Sequence, residues 1–423
     1  MQAGTAAIKS TLRTYVALPA AVQILCFGSF INRAGSFAMV FMTIYVSEQL
    51  GFGVTFAANC FGVFGLGSVI SSIVGGQLAD RFGRKPIMLL ALFGGAAALC
   101  LMGMARERWS FLTAVLVFSL AMEMYRPAAS AMIGDLVDTA QRPLAFSLMY
   151  IAFNLGFSVA APVGGFLADY SYQWLFWGDA LTTATYGLIV VFCIRETLPA
   201  TAESNSTNAG VDRVSWRAAL KHIRHDTTFL LLAAAAMLTS LVFMQAFSTL
   251  PIYISQLGYT KQEVGLLISA NGILIVFLQL PVTHVLNRYH RVLVILTGEI
   301  LIAVGFGLTA FAVTAPLLLT TIIIWTLGEV VQAAFKQSLV ADLAPVALRA
   351  RYMGVFSLSH ALGFAIGAPL GGQILSRWGP TVLWPICFVI TMIAAGVYWL
   401  IHVRIAHLLV IDEDSALEAD LAN

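Results

Sequence analysis

Long apolar stretches, separated by short clusters of charge, set the terms for this chain. Runs close to the roughly 20 residues that a helix needs to cross about 30 Å of hydrocarbon follow one another through most of the sequence. Of 423 residues, 59% are hydrophobic and 10% charged, with a mean hydropathy of +0.87, where soluble domains carry about 25% charged residues. A water-facing surface cannot be covered from that stock, so lipid is the expected solvent for most side chains. The net charge of +2, without a basic stripe interleaved with aromatics, argues against a nucleic-acid partner. Cys26, Cys60, Cys100, Cys193 and Cys387 all lie in apolar runs with no short Cys/His spacing, so they read as packing residues rather than disulfide or zinc ligands. Lys9 and Arg13 precede the first apolar run with no small-residue cleavage site, which reads as a retained helix.

Apolar runs bounded by charge and turn clusters predict twelve helices. The first six lie near 17–46, 54–78, 86–104, 109–136, 143–168 and 173–194, and the second six near 228–254, 262–286, 291–312, 316–342, 348–375 and 379–402. An even number of spans puts both termini on one side, and Lys/Arg placement chooses which. With the termini inside, the inner segments hold Lys9, Arg13, Arg81, Arg84, Lys85, Arg142, Arg195, Arg213, Arg217, Lys221, Arg224, Arg288, Arg291, Arg349, Arg351 and Arg404, while the outer loops hold Arg106, Arg108, Lys261 and Arg377. That asymmetry predicts cytoplasmic termini.

A polar segment, 196–226, separates an N-terminal half (1–195) from a C-terminal half (227–403), and an acidic stretch, 404–423, follows as a solvated or disordered tail. The middle of the linker is rich in Ser, Thr, Asn and Ala. Its later part, with Trp216, Leu220 and Ile223 set among Arg217, Lys221 and Arg224, reads as a short amphipathic helix. Shifting the chain by 207 residues lays Gln49-Leu50-Gly51 on Gln256-Leu257-Gly258, Asp135 on Asp342, Arg142 on Arg349 and Trp177 on Trp384. The same shift takes Gly156-Phe157 to Gly363-Phe364, and Pro162-Val163-Gly164-Gly165 to Pro369-Leu370-Gly371-Gly372. The halves are therefore read as parallel repeats of six spans, an arrangement that places a substrate site between them near the bilayer midplane.

Between the second and third spans stands Gly76-Gln77-Leu78-Ala79-Asp80-Arg81-Phe82-Gly83-Arg84-Lys85. Its glycines allow a tight turn and close helix contact, and its charges can bond to neighbouring helix ends. This segment resembles the signature loop of the major facilitator superfamily. The resemblance implies an all-α integral membrane fold of twelve transmembrane helices in two six-helix bundles. It also implies that Gly76, Asp80, Arg81, Gly83, Arg84 and Lys85 form a conformational latch, with Asp80 and Arg81 central and Asp135 a partner. The second copy, Thr283 to Arg291, has Asn287-Arg288 in place of the Asp-Arg pair and lacks the glycines, which predicts a weaker or differently built latch. In the fifth span, Gly156 to Gly165 is similar to the glycine-proline motif of the family's drug/proton antiporters, but Ala160-Ala161 stands where that motif has Gly-Pro. Close packing and kinking of membrane helices account for the same residues equally well.

Charges inside spans are expensive, about 2.5–3.5 kcal/mol on insertion scales, which makes them default candidates for function. Asn32 and Arg33 lie in the first span, Glu123 and Arg126 in the fourth, Gln245 in the seventh, and Glu329, Gln332 and Lys336 in the tenth. The family resemblance implies that these four spans line the central cavity. Glu123 and Glu329 are then the expected proton carriers, since desolvation raises a carboxyl pKa toward neutrality. Asn32, Arg33, Arg126, Gln245, Gln332 and Lys336 are the expected substrate-binding residues. Static ion pairing of Glu123 with Arg126, or of Glu329 with Lys336, is the competing reading. Glu299, Asp179, His284 and His360 read as structural, and Tyr45, Trp177, Trp384 and Trp399 as interfacial anchors.

The resulting expectation is a monomeric transporter of a bacterial inner membrane that exports small amphipathic compounds in exchange for protons, with no cofactor and no metal. A proton-driven symporter of a zwitterionic or anionic metabolite, such as a short peptide, is the alternative. No Gly-x-x-x-x-Gly-Lys loop, His-Glu-x-x-His pair or nucleophile triad is present, so an enzyme is not expected.

Overall fold

A backbone in hydrocarbon must satisfy its own hydrogen bonds, which leaves helices as the form for apolar runs of this length. The structure, a computed structural model, describes residues 18–138, 141–197, 216–345 and 348–421. Among the described residues 12 helices are long and apolar enough to cross a membrane. They match the sequence-predicted spans to within a few residues at most ends. Spans 2 and 3 are Val54–Phe82 and Arg84–Met104, and spans 5 and 6 are Arg142–Tyr170 and Gln173–Cys193. Spans 8 to 12 are Lys261–Leu286, Arg291–Leu308, Ala315–Leu343, Arg349–Trp378 and Pro380–Leu421.

Three spans are interrupted, which hydrophobic periodicity did not reveal. Span 1 runs as Ala20–Ala34 and Phe37–Ile44 and ends in a π turn, Tyr45–Gln49. Its break falls at Gly35-Ser36, the weakest helix-forming pair in that stretch. Span 4 runs as Arg108–Glu123 and Tyr125–Leu136, with Pro127 removing an N–H just past the break. Span 7 runs as Thr227–Phe243, Gln245–Ser248 and Leu250–Gln256, with Pro251 placed likewise.

The chain forms two compact units that cut across the sequence repeat. The first unit holds spans 1 to 6 together with Ala246–Val276 and Ala368–Ser376, and the second holds the remainder of spans 7 to 12. One core of the first unit gathers Leu25, Met88, Leu92, Met132, Tyr186 and Val190. One core of the second gathers Phe229, Leu232, Ile295, Val340, Tyr352 and Tyr398. Large apolar side chains such as Phe166, Leu181, Phe277 and Ile393 stay exposed, as a lipid-facing surface requires.

Three expectations need correction. Tyr45 and Trp384 are not interfacial anchors. Tyr45 is 3% exposed and packs against Phe111, Tyr172 and Phe176, while Trp384 is fully buried and stacks on Phe306. Trp177 and Trp399 are exposed, as an anchor should be. Of the two readings of the acidic tail, solvated or disordered, the second gives way, because span 12 continues as helix through Leu421. Cys193 is exposed rather than packed. The expected linker helix is present as Trp216–His225, and the readings of Lys9 and Arg13 fall outside the described residues.

Candidate transport site

The loop between spans 2 and 3 turns on Gly83, whose φ of 104° suits only glycine. A Cβ there would also lie 2.5 Å from Glu196 Oε2. That carboxylate accepts hydrogen bonds from the backbone N–H groups of Arg84 (3.1 Å) and Lys85 (2.9 Å), the unpaired donors at the start of span 3. Arg84, not Arg81, is the centre of the cluster. Its guanidinium lies 3.1 Å from Asp80 and 3.2 Å from Asp135, and it donates to the Ala79 carbonyl. Lys85 donates to the Val191 carbonyl near the end of span 6, and Thr197 donates to Asp135. Arg81 is exposed and rests on Phe82. At Gly76 an added Cβ would make only an ordinary contact with Pro127, whereas at Gly75 it would press on Met124 at 3.0 Å. Glu196, the residue that holds the turn, was not singled out in the sequence because it stands far from the motif, at the mouth of the linker. In the second repeat, Arg291 pairs with Asp342, the positions onto which Arg84 and Asp135 fall. The Asp-Arg dipeptide was lost there, but this ion pair was kept.

In the first unit, Arg33 stands beside the break in span 1, with its guanidinium 4.2 Å from the centre of the Phe153 ring. Glu123, Arg126, Tyr125 and Asp179 lie within its electrostatic reach. Glu123 is half-buried and accepts a hydrogen bond from Ser68 at 3.2 Å, and Arg126 is exposed. Asn32 is buried and donates to Thr183 at 2.9 Å, which ties span 1 to span 6. Asp179, 2% exposed, accepts from the Ala38 N–H and from Thr183, both at 3.4 Å. It thereby serves the N-terminus exposed by the break in span 1.

The glycine-rich segments of spans 5 and 11 perform the same task at equivalent places. A Cβ on Gly156 would lie 2.6 Å from Arg33 Cβ, 2.8 Å from the Phe30 carbonyl and 2.9 Å from the Ala34 nitrogen. On Gly363 it would meet the Met237 carbonyl at 2.6 Å, Ser240 Cβ at 2.7 Å and the Leu241 nitrogen at 3.1 Å. Each set is the other shifted by 207 positions. Further along, Gly165 faces the backbone of Lys261 and Gln262, and Gly372 faces Val54 and Ala58. Asp169 accepts from the N–H groups of Lys261 (3.2 Å) and Gln262 (3.1 Å), while the equivalent positions Ser376 and Thr55 bond to each other at 2.8 Å. Lys261 pairs with Glu48 at 2.7 Å, and Ser255 donates to the same carboxylate at 2.6 Å. Backbone approach of this closeness is a packing requirement, so these glycines are accounted for without a drug-specific role.

In the second unit, Gln245 is buried and donates to the carbonyls of Leu241 (2.9 Å) and Gly367 (2.8 Å), joining span 7 to span 11. Glu329 is half-buried. Gln332, 5% exposed, has no hydrogen-bond partner for its Oε1 among the described residues. Lys336 pairs not with Glu329 but with Glu299 of span 9, at 2.6 Å, and both are buried. Reading along one helix pairs residues by spacing; this pair is made across two helices.

Comparison with known proteins agrees with this architecture. The sequence profile of the Major Facilitator Superfamily matches residues 25–331 and 255–418, and the chain belongs to that family, a family of membrane transporters and not of enzymes. It is 26% identical over 410 residues to a Na(+), Li(+), K(+)/H(+) antiporter of Planococcus maritimus, covering 88% of this chain and 93% of the relative. It is 26% identical over 361 residues to the multidrug resistance protein MdtH of Escherichia coli O157:H7, covering 82% and 85%. A crystal structure of a POT family transporter in complex with a thioalcohol-conjugated peptide superimposes with a TM-score of 0.75 at 17% identity, over 93% of this chain and 99% of that one. The expected fold class, twelve transmembrane helices in the major facilitator arrangement, therefore holds.

Proposed function

We propose that this transporter is proton-coupled and exports small amphipathic compounds by alternating access, as a monomer in a bacterial inner membrane with both termini cytoplasmic. The observation that carries the reading is the group around the break in span 1, where Glu123 and Arg126 of span 4 lie within electrostatic reach of Arg33. A half-buried carboxylate beside two cations can exchange a proton as its surroundings change. Glu123 is the carrier in the first half and Glu329 in the second. Asn32 and Gln245 already bridge helices within their own units, so they act by positioning more than by direct contact, and Gln332 offers a buried acceptor on span 10. The similarity to a multidrug resistance protein and to a cation/proton antiporter supports export and proton exchange.

A second reading, proton-driven uptake of an anionic or zwitterionic metabolite, is favoured by the two cations Arg33 and Arg126, which suit a carboxylate better than a cationic drug. The two separate in whole cells preloaded with ethidium. Export predicts efflux that stops when a protonophore collapses the gradient. Efflux unaffected by the protonophore, together with gradient-driven uptake of a labelled dipeptide, would replace the first reading with the second.

A further inference from the structure

We propose that Glu299 is a further proton-binding site of the second half, and that its protonation releases Lys336 to Gln332. The inference rests on the proton-coupled reading above. Five spans meet at this point. Glu299 of span 9, 0% exposed, holds Lys336 of span 10 at 2.6 Å through Oε1, and the same oxygen accepts from Thr239 of span 7 at 2.8 Å. Its other oxygen, Oε2, is buried with no hydrogen-bond partner among the described residues. On the remaining sides stand the Tyr398 ring of span 12, 5.5 Å from the ammonium, and His360 of span 11. Ser240 donates to the Ala236 carbonyl, so the His360 Nδ1–H donates to Ser240 Oγ.

A buried carboxylate oxygen without a donor is costly, and an ion pair in an apolar interior is a poor source of stability compared with apolar packing. Oε2 is also the one atom of the pair that a proton can reach without displacing an existing bond. Once the proton is on Oε2, the carboxyl is neutral and Lys336 keeps its charge without a counter-charge. One helical turn away on the same face of span 10, Gln332 Oε1 is a second buried acceptor lacking a donor, and the ammonium can reach it. Two vacant acceptors thus flank one cation, and the proton decides which of them it serves. Spans 9 and 10 approach closely enough for this exchange because Gly298 and Gly328 face each other, where any Cβ would collide with the opposite backbone.

The cluster is not part of the common scaffold. Shifted into the first half, Glu299, Lys336 and His360 fall on Leu92, Ala129 and Phe153, so only one repeat carries it. A device that both halves needed for folding would be expected in both.

The test uses purified full-length protein and needs no transported compound. Infrared difference spectra between alkaline and acid buffer are expected to show a carboxylic-acid carbonyl component in the wild type, above the contribution of the other carboxyls, that is missing from Glu299→Gln and from the double variant Glu299→Gln/Lys336→Gln. The double variant carries no buried unpaired charge, which guards against failure to fold. In proteoliposomes, with ethidium as the probe, the double variant is expected to lose gradient-driven accumulation at least tenfold. Carbonyl intensity that Glu299→Gln leaves unchanged from the wild type would overturn the assignment, as would a double variant that accumulates ethidium like the wild type, since a static bridge is replaceable by neutral residues. A wild type that shows the band but moves no protons with any probe would instead overturn the proton-coupled reading.

Discussion

Individual side chains in this protein matter most where they meet a helix end or a buried charge. Gly83→Ala is expected to cost about 1–2 kcal/mol, because it forces a left-handed backbone on a residue with a Cβ and pushes Glu196 off two N–H groups. The cost is read as a lower melting temperature in detergent. Arg84→Gln removes contacts to Asp80 and Asp135 and should cost about 1–3 kcal/mol, while Arg81→Gln should cost less than about 0.5. His290, an exposed residue in the loop before span 9, is held below the ordinary imidazole pKa by partial desolvation and by the neighbouring His402 ring, 4.7 Å away between centres. Its neutral form is therefore the native one. The stability it contributes is complete above the unfolded-state value of roughly 6.5 and is lost as pH falls toward the depressed native value. Thermal unfolding followed across that window should show an acid-side loss that His290→Phe reduces. The signature loop and the charges within spans were legible in the sequence, because hydropathy makes an intramembrane charge conspicuous. Their partners were not. From sequence alone Glu299 reads as structural and Lys336 as a substrate-binding residue, with pairing to Glu329 the competing reading, since spacing along one helix says nothing about the helix opposite.

Among the helices, the interruptions and the glycine seams carry the argument. Spans 1, 4 and 7 are each interrupted: Gly35-Ser36 stands at the break in span 1, Pro127 just past that in span 4, and Pro251 just past the second of the two in span 7. Periodicity places a span but is nearly blind to such a break, because the residues on either side remain apolar. The duplication of Gly156 and Gly165 as Gly363 and Gly372 was visible in the sequence, yet its meaning was open between an antiporter motif and close packing. The atoms that a Cβ would strike answer for packing. Gly156→Leu and Gly363→Leu should each disrupt the fold, whereas Gly354→Leu, with nothing within 4 Å of its added Cβ, should be tolerated. Expression level and monodispersity in detergent check all three. The Lys261–Glu48 pair ties the start of span 8 to the π turn that ends span 1, and as a partly exposed pair it is worth about 0–1 kcal/mol. Contacts of that strength can open and reform during a transport cycle.

Across the whole molecule, twelve spans, two repeats and the family were all legible, because lipid imposes length and apolarity on every span and duplication leaves special residues at a constant offset. The division into compact units was not, since Ala246–Val276 and Ala368–Ser376 join the first unit through contacts that neither repeat encodes alone. The substrate has no motif of its own in the chain. Coupling, by contrast, has a direct readout. Lumenal pH is followed in sealed proteoliposomes, acid inside, while ethidium, then a dipeptide, is added outside. The proton-coupled export account predicts that ethidium triggers alkalinisation of the lumen in the wild type and not in Glu123→Gln. Ethidium that equilibrates across the membrane with no change in lumenal pH would contradict it.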